Sequence, residues 1–143
     1  MKYHFRIHKE KGGYWAEGVE IGWAHTQGDT LEELRGNMKE GLELCLEEAD
    51  RGSSFVPPMP DPSVRGRNIA EVTPDPNIAM AVLLRRSRIK SRMSQRQTAL
   101  KLGIKHLSQY QRLEKGETAN PELRTLANLR KLFPKFSVDA GLT

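Results

Sequence analysis

The sequence predicts an α+β protein, with a small α/β unit over residues 1–75 and an all-α unit over residues 76–143. Three observations carry this. Residues 2–8 alternate apolar and polar, with Tyr3, Phe5 and Ile7 on one side and Lys2, His4, Arg6 and His8 on the other, which is the pattern of a half-buried strand. After Asp75 the apolar residues recur only at helical spacing. Charge divides at the same place: residues 1–75 hold nine Lys and Arg against fourteen Asp and Glu, whereas residues 76–143 hold fourteen against four.

The elements follow in order. Gly12-Gly13 ends a polar turn and Tyr14–Glu17 restarts as a second strand, so a hairpin is expected, with a third short strand near Trp23–Thr26. Thr30 and Glu33 form a capping box that opens a helix, whose apolar face is Leu31, Leu34, Met38, Leu42, Cys45 and Ala49. Glu32, Glu40, Glu43, Glu47 and Glu48 fill much of the remaining surface. Residues 51–67 are rich in Gly, Ser and Pro and form a connection, and Asn68–Thr73 is a strand returning to the first sheet.

In the second unit Asp75 caps a helix with Pro76 at its first position, and Ile78, Val82 and Ile89 begin an apolar stripe beside the basic Arg85, Arg86, Arg88, Lys90 and Arg92. Ser94 and Gln97 form a capping box for a second helix that ends at Gly103. A third runs from Leu107 to Lys115 and stops at Gly116, and a fourth places Leu123, Leu126, Leu129, Leu132 and Phe133 inside before Pro134.

Composition narrows the class. A chain of 143 residues with 37% apolar and 29% charged residues is a soluble globular protein of one ordinary domain or two small ones. The lone Cys45 excludes an internal disulfide and a cysteine-based zinc site. No apolar run approaches a membrane span and no secretory leader is legible, so the cytoplasm is the expected location and no membrane partner is expected. The basic half attracts polyanions by releasing their counterions. The acidic half suits a basic protein.

The functional signal is the stretch Ser94–Gly116. Two short helices joined at a glycine cross closely and need a small residue at the crossing, which Ala99 supplies; Leu102, Ile104 and Leu113 supply core, with Tyr110 half buried. The outward face of the second helix is then Lys105, His106, Ser108, Gln109, Gln111, Arg112 and Lys115. Arg takes guanine and Gln takes adenine in two-bond contacts in a major groove, while Ser and Lys grip phosphate.

This stretch resembles the Xre or phage-repressor type of helix-turn-helix, which reads Ser-Gln, Ala, Leu-Gly-(Ile/Val), Leu-Glu-x-Gly and then Asn-Pro. The resemblance implies that Gln95 fixes a phosphate and that Ser108, Gln109 and Arg112 face bases. Between Gly103 and Glu114 this chain has one residue more than such repressors, which lengthens the turn near Lys105–Leu107. The N-terminal half resembles HicB-type antitoxins in Tyr14-Trp15-Ala16, Thr26–Leu34, Asn37 and Glu40–Leu44. It departs at Val19–His25, where that family commonly has Pro-Asp-x-Pro-Gly. The resemblance implies a partial RNase-H-like α/β module that binds HicA, a small basic RNA-cleaving toxin, joined to an all-α helix-turn-helix domain that represses its own operon.

On this reading the partners are operator DNA, a HicA-type toxin and a second copy of the chain in a homodimer or higher oligomer, because one such motif reads only a few base pairs. Trp15, Ile21 and Trp23 are candidates for apolar toxin contact and Glu40, Glu43 and Glu47 for charge pairing, with buried core the rival role for Trp15. Phe136, Val138 and Leu142 either help dimerisation or form a frayed end. No enzyme is expected. His4 and His8 share a strand face about 13 Å apart, His25 and His106 have no ligand-spaced partners, and Glu17, Glu20 and Asp29 lie on separate segments, so neither a metal nor any other cofactor is expected and no catalytic residue is assigned. Two other readings stay open: a plain helix-turn-helix regulator whose N-terminal module oligomerises or binds a ligand, and a nuclease or RNA-binding protein. An aromatic content of 6% gives the last little surface for stacking bases.

Overall fold

A computed structural model describes residues 1–48 and 56–142 of the chain, the Glu48 side chain excepted. The elements are β1 (Tyr3–Glu10), β2 (Gly13–Gly18), β3 (His25–Gly28), α1 (Leu31–Glu48), β4 (Ile69–Val72), α2 (Pro76–Lys90), α3 (Gln95–Lys101), α4 (Leu107–Leu113), α5 (Leu123–Leu132) and α6 (Val138–Leu142). The architecture is mixed α+β, with a four-stranded sheet and α1 in the first half and helices alone after β4. The expected third strand sits slightly later, at His25–Gly28.

The sheet has the order β3-β2-β1-β4, with every pair antiparallel. Glu10 pairs with Gly13, so β1 and β2 close through the two residues Lys11 and Gly12, and Gly12 takes the positive φ of 93° that such a tight hairpin requires. Phe5, Ile7, Ala16 and Gly18 share the face toward α1. Two expectations from periodicity change here. Leu31 is exposed and Cys45 only half buried, because the line facing the sheet advances in steps of four through Leu34, Met38, Leu42 and Leu46; Ala49 lies outside the described residues. At the start of α1, Glu33 N–H donates to Thr30 Oγ1 at 3.1 Å, while the Glu33 carboxylate accepts from Asp29 N–H at 2.9 Å.

His4, expected on the solvent side of β1, is 3% exposed. It does face away from α1, but residues 19–24 and the proline-rich connection cover that end of the sheet. Val19 N–H donates to His4 O. Glu20 accepts from His4 N–H at 2.9 Å, from Asp61 N–H at 3.0 Å, and from His4 Nδ1 at 2.6 Å. A carboxylate only accepts, so the ring nitrogen carries the proton. Burial alone would raise the Glu20 pKa, but these hydrogen bonds outweigh it and hold the carboxyl below its ordinary 4.5.

In the second half, α2 is the central helix: Ile78–Arg85 is buried on all sides, so the stripe expected from Ile78 and Val82 widens into a complete buried segment, while Ile89 beyond it is only half buried. α1 packs on one side of it and α6 on another. Asp75 caps α2 by accepting from Asn77 N–H, and its own N–H donates to Glu43 Oε1 at 2.8 Å. Phe136 is buried and Gly141 packs against Leu83, so the tail folds onto its own α2 rather than fraying. Leu123, expected inside α5, is 85% exposed; it sits on the first turn, before the helix reaches the core through Leu126, Leu129 and Phe133.

The lowered Glu20 pKa fixes the sign of a pH effect. Stability from this contact is fully present above about pH 4.5 and is lost as pH falls through the lower folded-state value. Denaturant titrations across the acid range should therefore show the difference between the wild type and Glu20→Gln shrinking as pH drops; a constant difference would contradict the assignment.

Candidate nucleic-acid interface

α3 and α4 have seven residues each, too short to persist alone, so caps and packing must set their geometry. Ser94 Oγ accepts from Gln97 N–H at 3.0 Å while the Gln97 side chain accepts from Ser94 N–H at 2.8 Å, which is the expected capping box. Ala99 is buried and keeps α3 slim where α4 packs on it. The chain then turns at Gly103, whose φ of 74° suits glycine, and Ile104 N–H donates to Ala99 O at 2.9 Å. Residues 102–106 connect the two helices. α4 ends at Leu113, two residues before the expected Lys115, with Glu114 as its C-cap.

One carboxylate ties these pieces together. Glu114 is 3% exposed. Its Oε1 accepts from Arg88 Nε at 2.5 Å and from the Tyr110 hydroxyl at 2.6 Å. Its Oε2 accepts from Arg88 Nη2 at 3.2 Å and Gln95 Nε2 at 2.9 Å. Arg88 also donates from Nη1 to Met93 O at 3.1 Å, which fixes the chain entering α3. Burial alone would lower the Arg88 pKa, but the hydrogen bond and charge of Glu114 outweigh it and hold the pKa above its ordinary value. Burial, then the charge of Glu114, pushes the Tyr110 phenol far up. Tyr110 is thus fully buried rather than half buried, because Glu114 accepts its hydroxyl and leaves no polar atom unsatisfied.

Lys105, His106, Ser108, Gln109, Arg112 and Lys115 are all exposed. Within α4, spacing of three and four places residues 108, 109 and 112 on one side, with Lys105 before the helix and Lys115 after it. These six exposed residues carry three permanent cations, a hydroxyl, an amide and an imidazole, and no carboxylate. Gln95 and Gln111, also expected to meet DNA, are half buried: Gln111 Nε2 donates to Gln95 Oε1 at 3.2 Å while Gln95 holds Glu114. The structure therefore brings six of the eight residues to the open face and turns two toward the support beneath it. Of the basic run on α2, Arg85 is buried and Arg88 is committed to Glu114.

The residues considered for a protein partner divide. Trp23 is 50% exposed and Glu40 is exposed. Trp15 lies half buried on the sheet face away from α1, with its ring stacked 4.0 Å from that of His8 and 6.5 Å from that of His25. Ile21, by contrast, is 1% exposed and belongs to the core, so it offers no outer surface. Glu43 caps Asp75 from α1. Glu47 lies against Gly116, where an added Cβ would come within 2.7 Å of its carboxylate and 2.6 Å of Ile78. These two acids face the chain's own helical half. Among the described residues, no three His, Cys, Asp or Glu converge as a metal site, and no helix is long and apolar enough to cross a membrane.

Residues 84–138 match the helix-turn-helix family. The chain thus carries a helix-turn-helix domain of the Xre type, which supports a DNA-binding regulator. It is also similar to two proteins of Synechocystis sp. (strain ATCC 27184 / PCC 6803 / Kazusa). UPF0150 protein ssl0738 is 44% identical over 39 residues, 27% of this chain and 54% of that protein. UPF0150 protein ssr1258 is 40% identical over 45 residues, 32% of this chain and 65% of that protein. The matched stretch spans between about half and two thirds of the length of these relatives.

Removing one partner of a buried, hydrogen-bonded ion pair strands the other. Glu114→Ala should cost about 3–5 kcal/mol of stability in denaturant unfolding, and the joint change Arg88→Met, Glu114→Leu and Tyr110→Phe, which leaves no buried hydroxyl without an acceptor, should recover much of it. An effect of Glu114→Ala below about 1 kcal/mol, the usual worth of an exposed pair, would show that the contact is not the anchor described.

Proposed function

We propose that this protein is a HicB-type antitoxin that acts by binding and not by catalysis. Its helix-turn-helix binds operator DNA and represses its own operon, while its N-terminal module binds and neutralises a HicA-type mRNA-cleaving toxin. The observation that carries the DNA half is the exposed face of α4, with Ser108, Gln109 and Arg112 at its centre and Lys105 and Lys115 at its ends. Gln109 and Arg112 suit adenine and guanine edges, and the lysines suit phosphates. Binding as a homodimer or higher oligomer places two such faces on paired half-sites. The antitoxin half rests on the HicB-type resemblance of residues 14–44 and on exposed Trp23 and Glu40, an aromatic anchor and an acid fitted to a basic toxin. The UPF0150 similarity is compatible with it.

One observation favours a second reading. Glu43 and Glu47 serve contacts within the chain, which removes part of the acidic surface expected to meet a toxin. A plain helix-turn-helix regulator, whose N-terminal module oligomerises or binds a ligand, needs no such surface.

Two measurements test these readings. In binding to the duplex upstream of its own reading frame, Arg112→Ala and Gln109→Ala should each lose about 1–3 kcal/mol of discrimination against random DNA, whereas Lys115→Ala should weaken both duplexes alike. Equal loss on both duplexes for Arg112→Ala would remove it as a base reader. In cells expressing the product of the adjacent gene, the full chain and its Arg112→Ala variant should both restore growth, and Trp23→Ala should restore less. No rescue by the soluble wild type would leave the plain regulator standing.

A further inference from the structure

Arg92 stands out in the backbone. Among the described residues it alone, apart from glycines, has a positive φ, 55°. It follows Ser91, the C-cap of α2, at the position where glycine commonly ends a helix. Its N–H donates to Ile89 O at 3.0 Å, and Met93 N–H donates to Arg88 O at 3.2 Å, so the turn is closed by hydrogen bonds and its conformation is imposed. A side chain with a Cβ costs free energy there that glycine does not. Such a cost kept at one position points to work done by the side chain.

The surroundings say what work. Arg92 is exposed. Its neighbour Met93 is gripped through its carbonyl by Arg88, whose other nitrogens hold Glu114 at the end of α4. Gln95, three residues on, holds the same carboxylate and accepts from Gln111 of α4. The backbone at residue 92 is therefore anchored to the support of the α4 face, close to its Arg112 and Lys115 end. Arg96 and Lys101 are exposed on the following helix. A guanidinium in this setting suits a phosphate oxygen, to which it donates two parallel hydrogen bonds.

We propose that Arg92 is a phosphate-contacting residue of the DNA interface, held in a left-handed turn at the expense of stability so that its guanidinium reaches the phosphate backbone beside the groove read by α4. This rests on the DNA-binding reading above.

The test uses the full chain, its upstream duplex and a random-sequence duplex. Arg92→Gly should raise the melting temperature by about 2–6 °C by removing the backbone cost. The same variant should weaken binding to both duplexes about 5–15-fold at low salt and reduce the slope of log affinity against log salt by about 0.9. Arg92→Gln should lose affinity to a similar degree without the gain in stability, separating lost charge from altered backbone, and Arg92→Lys should keep most of the salt slope. If the wild type binds and Arg92→Gly is more stable with unchanged affinity and slope, the assignment is overturned alone. If the wild type binds neither duplex, the DNA-binding reading falls and the assignment with it.

Discussion

The helical half depends on the Glu114 carboxylate. It accepts from Arg88 of α2, Gln95 of α3 and Tyr110 of α4, and so joins three helices at one buried point. Two seven-residue helices have no stability of their own to hold a fixed crossing angle. Apolar packing around Ala99, Leu102 and Leu129 drives them together but does not favour one rotation over another as strongly as a bidentate ion pair does. Ionised groups in such a place are tolerated only when their hydrogen bonds are complete, and here both oxygens of Glu114 are used. The orientation of α4, and with it the face carrying Ser108, Gln109 and Arg112, follows from that completeness.

The N-terminal half repeats the device in a smaller form. Glu20 gathers the His4 ring, the His4 backbone and the Asp61 backbone, which locks the proline-rich connection onto the end of β1. Both carboxylates act over long sequence separations, and both make otherwise irregular chain take one path. Between the halves α1 supplies the join: Glu43 receives Asp75 N–H at the entry to α2, and Glu47 lies against Gly116 just after α4. The net negative charge of residues 1–75 is therefore partly an internal matter, spent on positioning the helices and less on display.

Periodicity and capping made much of this legible. The alternation of Tyr3, Phe5 and Ile7, the Ser94–Gln97 box, the glycine turn at Gly103 and the polar run from Lys105 to Lys115 are local patterns, each readable within a few residues because backbone geometry repeats on that scale. Local patterns do not give which side chain meets which distant partner, although the return of residues 68–73 to the first sheet is readable. His4 is on the face the alternation assigns, yet it is buried, since alternation names a face and not what lies over it. Leu46 replaces Cys45 on the buried line because the packing of α1 on the sheet, and not the helix alone, selects the row. Gln111 belongs to the outward set and Gln95 to the phosphate contacts that the repressor resemblance implies, but Glu114 accepts from Gln95 and Gln95 accepts from Gln111, and both are half buried.

The sequence by itself determined the order of strands and helices, the helix caps, the charge division and the residue types on the second motif helix. These rest on interactions between neighbours three or four positions apart, or on simple summation of charge. Only the tertiary structure decided that Arg88 and Glu114 meet across 26 positions, that Arg85 and Ile21 are core, and that Glu43 and Glu47 turn toward the chain's own helices. The physical reason is that a charged or polar side chain has many acceptable partners at the level of sequence. Burial removes water as one of them, and the fold then leaves a single satisfied arrangement.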